Sequence, residues 1–440
     1  MRLWFDVEDL FNFAERSKRL TGIQRLTGEL YTALAHRFPV GVGFVRHAGN
    51  DDAPSFEAVD WAAVRDVYTG LKEGPVRLAA HQETCTRAHR ESGSFLRRVM
   101  DRFRVQTHQH QEPLPTPTLE SRAIEGDVLC SFGAPWHDIN YPQRVACFKR
   151  AVRGRFAMLV HDLIPLLRPE YFEVGRAPGF ERVMAGTLPL ADFIFTNSKA
   201  TARDVTSWAA HENVALRAAP RPVPIGTGFP RPPAGPLPAP LLEGAYVLFV
   251  STIEVRKNHQ QAFRIWQRML REMPLDQVPT LVFAGAWGWM VDDLKKAIAS
   301  TSSLSGKLVI VPSPDDATLA ALYEGCLFTL FLSYYEGWGL PVSDSLAFGK
   351  ICVASDRTSV PEAGGEYCVY IDPDNTTAAY EKIRSLIERR GELNALEARL
   401  RTEFAQVSWD TTAEAIWDTI SRRTSPTPPR RSPSDRLLVC

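Results

Sequence analysis

Residues 334–350 read Tyr-Tyr-Glu-Gly-Trp-Gly-Leu-Pro-Val-Ser-Asp-Ser-Leu-Ala-Phe-Gly-Lys, and this stretch decides the fold. Ahead of it, the apolar run from Cys326 to Leu332 has the composition of a buried strand. Gly337 and Gly339 mark a tight turn. Pro341 falls at the first position of a predicted helix, where its missing N–H does no harm. The helix passes through Leu346 and Ala347 and stops near Gly349. A helix N-terminus at a strand end offers unpaired N–H groups and a partial positive charge to an anion. Two carboxylates bracket the turn, Glu336 before it and Asp344 within the first helical turns. Carboxylates accept hydrogen bonds from hydroxyls, so a sugar or ribose carried on that anion would account for them. A plain buried strand–turn–helix with surface acids is the competing reading.

The run Glu336-Gly337-Trp338-Gly339-Leu340-Pro341, with Asp344 completing the spacing, resembles the E-x7-E signature of retaining family 4 glycosyltransferases, which have the GT-B fold. That family usually has Phe in place of Trp338 and Glu in place of Asp344, which is one methylene shorter. The resemblance implies an α/β protein with two Rossmann-like domains facing across a cleft. It also implies a nucleotide-sugar donor site containing Gly337, Trp338, Gly339 and Leu340. Glu336 would hold sugar hydroxyls and Asp344 the ribose.

The chain has 440 residues, enough for two domains with separate cores. Its formal net charge is +0, which gives no global attraction for nucleic acid. Hydrophobic residues make up 45%, as in ordinary globular proteins. Seven cysteines are scattered without a C-x-x-C pair, which points to reduced core thiols in a cytoplasmic protein. The start of the chain reads as a strand with acids, not as a signal peptide. No apolar run reaches the length of a membrane span.

In the first half, Met1–Val7 reads as a strand, and Thr21-Gly22-Ile23-Gln24-Arg25 opens a helical pattern through Leu26, Leu30 and Leu34. Gly22 would let a ligand approach the backbone, and Arg25 could meet a phosphate. A Thr-capped helix with a solvated arginine is equally consistent. The pair resembles half of the family's glycine-rich donor loop. Strands are expected at Pro39–His47, Gly126–Phe132, Phe156–Val160 and Ala191–Thr196. His161-Asp162-Leu163-Ile164-Pro165 ends the third of these, where α/β sheets place their ligands. It resembles the family's His-Asp pair, which implies His161 beside the donor sugar and Asp162 on the acceptor side. A histidine that only ties down its loop is the alternative. Residues 74–120 form a basic, Pro- and Gln-containing insertion. Within it Phe95, Leu96, Val99, Met100 and Phe103 share one helical face, suited either to packing or to an anionic membrane surface.

Prolines crowd residues 221–242, which reads as a linker. The expected organisation is an N-terminal acceptor-side domain over 1–220, a nucleotide-sugar domain over 243–408, a crossover helix over 409–421 and a disordered tail over 422–440. Strand–helix alternation restarts at Tyr246 and predicts a second parallel sheet. Arg256 and Lys257 follow its first strand, as a diphosphate would require, and the run resembles the family's R-K-N loop. Gly285, after the next strand, resembles the turn near the nucleotide base. Asp372-Pro373-Asp374 matches a D-x-D metal motif formally. It lies in a late turn, and the resemblance implies a fold that works without metal, so no metal or other cofactor is expected.

Together these readings imply a retaining glycosyltransferase. It would move a hexose, with GDP-mannose the favoured donor, to a glycan or lipid-linked glycan acceptor in bacterial surface polysaccharide synthesis. The catalytic set would be His161, Arg256, Lys257 and Glu336. The enzyme would be cytoplasmic, with peripheral contact at the inner face of the membrane. UDP-glucose or deoxysugar donors, a UDP-sugar epimerase-like enzyme and a non-catalytic scaffold stay open.

Overall fold

The computed structural model describes residues 1–17, 19–50, 53–73, 118–228, 242 and 244–424. The helix expected within the basic insertion, most of the linker and nearly all of the tail lie outside these residues.

The first sheet contains β1 (Leu3–Asp6), β2 (Val42–Gly49), β3 (Pro54–Val59), β4 (Val128–Ser131), β5 (Arg155–Val160), β6 (Phe193–Thr196) and β7 (Arg221–Pro222). Their order is β3-β2-β1-β4-β5-β6-β7. The β2–β3 pair is antiparallel, and every other pairing is parallel. The inner strands β4, β5 and β6 are largely apolar and buried because both faces are covered. Alternate residues serve opposite faces: Leu3, Phe5, Val128, Cys130, Ala157 and Leu159 join one core. Trp4, Leu129, Phe156, Met158 and Val160 join the other.

The second sheet contains β8 (Tyr246–Val250), β9 (Thr280–Ala284), β10 (Leu308–Val311), β11 (Thr329–Phe331), β12 (Cys352–Ser355) and β13 (Cys368–Ile371). Its order is β10-β9-β8-β11-β12-β13, with all pairings parallel. Val247, Phe249, Leu281 and Phe283 face one core, while Tyr246, Leu248, Val282 and Ala284 face the other. The last helix, Trp409–Thr424, returns to the first half, where Ala413, Ile416 and Ile420 are fully buried. Burying each isoleucine contributes roughly 1.5–3 kcal/mol. Trp417 stacks on Phe38 with ring centroids 4.3 Å apart.

The two-sheet α/β expectation holds. Several elements of the first half were not anticipated, two of them before residue 60. One is the helix Glu8–Arg16, which follows directly on the expected strand Met1–Val7. The other is β3, an edge strand that begins with Pro54, where a missing N–H costs no central ladder bond. The second strand starts at Val42, later than Pro39. The signature helix spans Leu340–Ala347, so Pro341 is its second residue and Gly339 its N-cap. Gly339 has φ +136°, a backbone region that is in practice reserved for glycine. Among the described residues, Cys130, Cys147, Cys326, Cys352 and Cys368 are unpaired thiols. No described helix is long and apolar enough to cross a membrane.

Candidate active site

Strand order brings the two strongest motifs together. In the second sheet β8 lies between β9 and β11, so the loops leaving β8 and β11 emerge side by side at the switch point of the topology. Open α/β sheets bind ligands at this place. The loops are joined by a hydrogen bond from the Tyr334 N–H to the Arg256 carbonyl (2.9 Å).

Glu336 holds both cations of the β8 loop. Arg256 Nη1 is 2.8 Å from Glu336 Oε2, and Lys257 Nζ is 2.5 Å from Oε1. Arg256 also donates to the Tyr335 carbonyl (2.6 Å). Its Nη2 lies 2.9 Å from the carboxylate of Glu254, a residue only 1% exposed. Glu254 also accepts from the Arg256 backbone N–H (2.7 Å) and so fixes the arginine at both ends. Burial would raise the Glu336 carboxyl. Arg256 and Lys257 outweigh it and hold the group at about 2. The Lys257 ammonium is lowered by burial and by Arg256, against the pull of Glu336 and Glu254. The backbone around Glu336 is pinned as well. Its N–H donates to Thr358 Oγ1 (3.0 Å), and Ser359 Oγ donates to the carbonyls of Glu336 and Trp338 (both 2.8 Å).

From the other half, His161 and Asp162 leave β5 and reach the same cluster. His161 donates from Nε2 to the Phe132 carbonyl (2.8 Å). Burial lowers its imidazole to about 4, so it is neutral at pH 7 and brings no charge. Asp162 accepts from the Ile164 N–H (3.0 Å). Burial raises its carboxyl, opposed chiefly by Arg256. Gly337 sits directly on this loop: an added Cβ would stand 2.0 Å from the His161 carbonyl oxygen. On its Cβ side Gly337 is therefore in contact with the opposite half. At Gly285 an added Cβ would meet the Ser251 carbonyl at 1.9 Å, whereas Gly22 faces open space. Trp338 packs against the cores of both halves, and its indole N–H is buried without a protein partner. Leu340 packs against the first-half core.

Arg25 and Asp344 belong to a second constellation. Arg25 pairs with Asp316 through two contacts of 2.5 and 3.1 Å, joining residues 291 apart in sequence. Its guanidinium is thus engaged by a carboxylate of the other half. Asp344 accepts from the Gly228 N–H (3.1 Å) where the first half gives way to the second. Its carboxyl is pushed up to about 7 by burial, against the attraction of Arg25.

Further contacts close the cleft. Thr201 Oγ1 donates to the Gly337 carbonyl (3.3 Å), Tyr335 to Asp204 (2.9 Å) and Trp289 Nε1 to the Tyr171 carbonyl (2.7 Å). Glu362 accepts from the N–H groups of Lys199 (2.7 Å) and Ala200 (2.8 Å), the first two residues of the helix Lys199–His211.

The switch point of the first sheet, between β1 and β4, carries a polar cluster that sequence reading missed. His47 bridges Asp6 (3.0 Å) and Asp138 (3.2 Å) beside a cavity of about 50 Å³. Burial would lower the imidazole. Asp6 and Asp138 overcome it and raise the group to about 10. No local motif marks this cluster, because its members come from the end of β1, from within β2 and from the loop beyond β4. Glu254 and Asp316 were missed for a similar reason. Asp372 and Asp374 pair with Arg357 (2.6 and 3.3 Å). Among the described residues no group of three or more His, Cys, Asp or Glu is placed to hold a metal ion.

Two switch-point sheets facing one another, joined by a linker and a returning helix, make the GT-B architecture. Anabaena HepE, solved in complex with UDP and glucose, superposes with a TM-score of 0.60 at 14% identity, covering 96% of this chain and 100% of that one. Residues 240–403 match the sequence model described as "Glycosyl transferases group 1". By fold the chain is of the GT-B type, and over residues 240–403 it is similar to group 1 glycosyl transferases. Among curated relatives, Escherichia coli O-antigen chain mannosyltransferase B is 26% identical over 258 residues, covering 57% of this chain and 66% of the relative. E. coli serotype-specific mannosyltransferase WbdA is 27% identical over 255 residues. That match covers 54% of this chain and 31% of WbdA. The chain thus spans just under two thirds of the first relative and about a third of the second.

Proposed function

We propose that the protein transfers a hexose, with retention, from a nucleotide-diphosphate sugar to a glycan or lipid-linked glycan acceptor, and that it does so without a metal. Mannose from GDP-mannose is the favoured donor, and bacterial surface polysaccharide synthesis at the cytoplasmic face of the membrane the favoured setting. The observation that carries the reading is the Arg256–Lys257 pair at the β8/β11 switch point, within the residues similar to group 1 glycosyl transferases. The names of the two mannosyltransferase relatives support the sugar and the pathway.

In this reading Arg256 and Lys257 neutralise the diphosphate as charge develops on the leaving oxygen, which is electrostatic stabilisation of the transition state. Glu336 accepts from sugar hydroxyls, and Asp344 from the ribose. Neutral His161 sits by the reacting sugar as a hydrogen-bonding group, and Asp162 shapes the acceptor side. Gly22 leaves room at the first-half loop. Asp162 is committed to a backbone N–H and Glu336 is assigned to the sugar hydroxyls, so neither is assigned as a nucleophile for double displacement. Attack and departure on the same sugar face is the scheme we adopt.

Thermal stability against a panel of nucleotides and nucleotide sugars, followed by turnover with the best binder, tests this. A GDP-selective shift that weakens in Lys257→Ala, with GDP-mannose turnover, supports it. A UDP-only shift keeps the reaction class and discards GDP-mannose. No shift with any nucleotide overturns the donor-site assignment.

A further inference from the structure

The cation pair is not waiting empty-handed. Arg256 and Lys257 together face three carboxylates, Glu254, Glu336 and Asp162, each of which interacts electrostatically with Arg256. Their side chains are only 12% and 13% exposed. A buried cluster already compensated in this way has no surplus positive charge to offer a diphosphate. The N–H groups that would grip phosphate oxygens are occupied at 2.5 and 2.8 Å. Two of the three carboxylates are fixed by backbone bonds of their own, Glu254 by the Arg256 N–H and Asp162 by the Ile164 N–H. Glu336 differs, because its two carboxylate oxygens are what the two cations hold. It presents to them the same two-oxygen fork that a phosphate would.

We infer that Glu336 is the internal counter-anion of the donor site: its carboxylate occupies the place of a phosphate, and the nucleoside diphosphate of the donor displaces it from Arg256 and Lys257. The inference rests on the donor-site reading above and deepens it. Thr358 and Ser359 hold the Glu336 and Trp338 backbone in place, so the exchange falls to the Glu336 side chain. One anion replaces another on the same two cations, so the cations are never left buried and unpaired, which is the costly alternative. Once released, the carboxylate becomes free to accept from hydroxyls of the sugar that arrives with the diphosphate. Glu254 stays and keeps Arg256 aimed. Donors that carry a sugar thus replace a lost ion pair with new hydrogen bonds, while a bare diphosphate has to work against Glu336 with no such return.

The test is a pair of binding isotherms, for UDP and for GDP, on the wild-type protein and on Glu336→Gln, with turnover of the matching sugar nucleotide measured alongside. The expected result is diphosphate binding at least about ten-fold tighter in Glu336→Gln, together with a large fall in turnover. Glu336→Asp keeps the charge but draws the carboxylate back. It is expected to bind diphosphate with intermediate affinity, and it guards against loss of fold in the glutamine variant. Diphosphate binding that is unchanged or weaker in both variants overturns the inference while leaving the donor site standing. Failure of UDP and GDP to bind any of the three proteins overturns the donor-site reading itself, and the inference with it.

Discussion

The Cα of Gly337 lies so close to the carbonyl of His161 that a Cβ added there would stand 2.0 Å from the oxygen, with the Asp162 Cβ 3.0 Å away. One turn of the second half thus rests on the catalytic-loop candidate of the first. Because the blocking atom is backbone, it cannot move aside as a flexible side chain would. Gly337→Ala is expected to push the halves apart, to cost on the order of 1–3 kcal/mol and to lower turnover much more than it alters secondary structure. Thermal melts and far-ultraviolet circular dichroism, read beside activity, check this. An alanine variant of wild-type activity would show that the contact is not required.

Arg25 and Asp316 form a mostly buried bidentate pair between the halves. Removing one partner leaves a poorly solvated charge, so Asp316→Ala is expected to destabilise by on the order of 3 kcal/mol. Replacing both, in Arg25→Met with Asp316→Leu, is expected to cost clearly less. Urea unfolding of the two single variants and the double variant gives the coupling directly.

His47 is raised to about 10 by Asp6 and Asp138. A histidine whose folded value lies above its unfolded value contributes stability that is complete below about pH 6.5 and fades as pH climbs through about 10. His47→Gln is therefore expected to be most destabilising at pH 6 and nearly neutral above pH 10. Equilibrium melts at pH 6, 8 and 10 measure the trend. A difference that grows with pH would contradict it.

Asp344 shares this direction with pH, but here it is the charged form that the fold disfavours. Burial, the leading cause, pushes its carboxyl up to about 7. The folded state then holds a proton that the unfolded chain gives up between about pH 4 and 7, so the group works against stability once it ionises. Asp344→Asn preserves an acceptor for the Gly228 N–H. It is expected to stabilise the protein at pH 8 by on the order of 1–3 kcal/mol and to make little difference at pH 4. If Asp344 also holds the donor ribose, the variant's Michaelis constant for the donor rises.

How much of this was legible in the chain depends on the range of the contacts. The strands of the second half could be read because each is a short apolar run, three of them (β9, β10 and β13) followed within two residues by glycine or proline, and that information is local. Glu336, Arg256 and Lys257 each announced themselves by position at a strand end. That a single carboxylate grips both cations follows only from the pairing of β8 with β11 across 79 residues, which no local pattern encodes. Glycines were legible as special but not in their purpose. Gly22 faces open space as expected, whereas Gly337 and Gly285 make room for protein backbone. Asp316 lies in the first turn of a helix, and nothing local in the sequence singles it out. Its engagement with Arg25 exists only once the two halves meet.

The carboxylate of Glu362 reaches across from the second half to the first two amides of the Lys199–His211 helix, beside that helix's own Ser198 cap. A helix start completed by another domain cannot survive separation of the domains unchanged. When the halves part, the Lys199 and Ala200 amide protons lose their carboxylate and face water. Their hydrogen–deuterium exchange would then time the breathing of the whole molecule with no label attached, and a donor that holds the cleft shut would slow it.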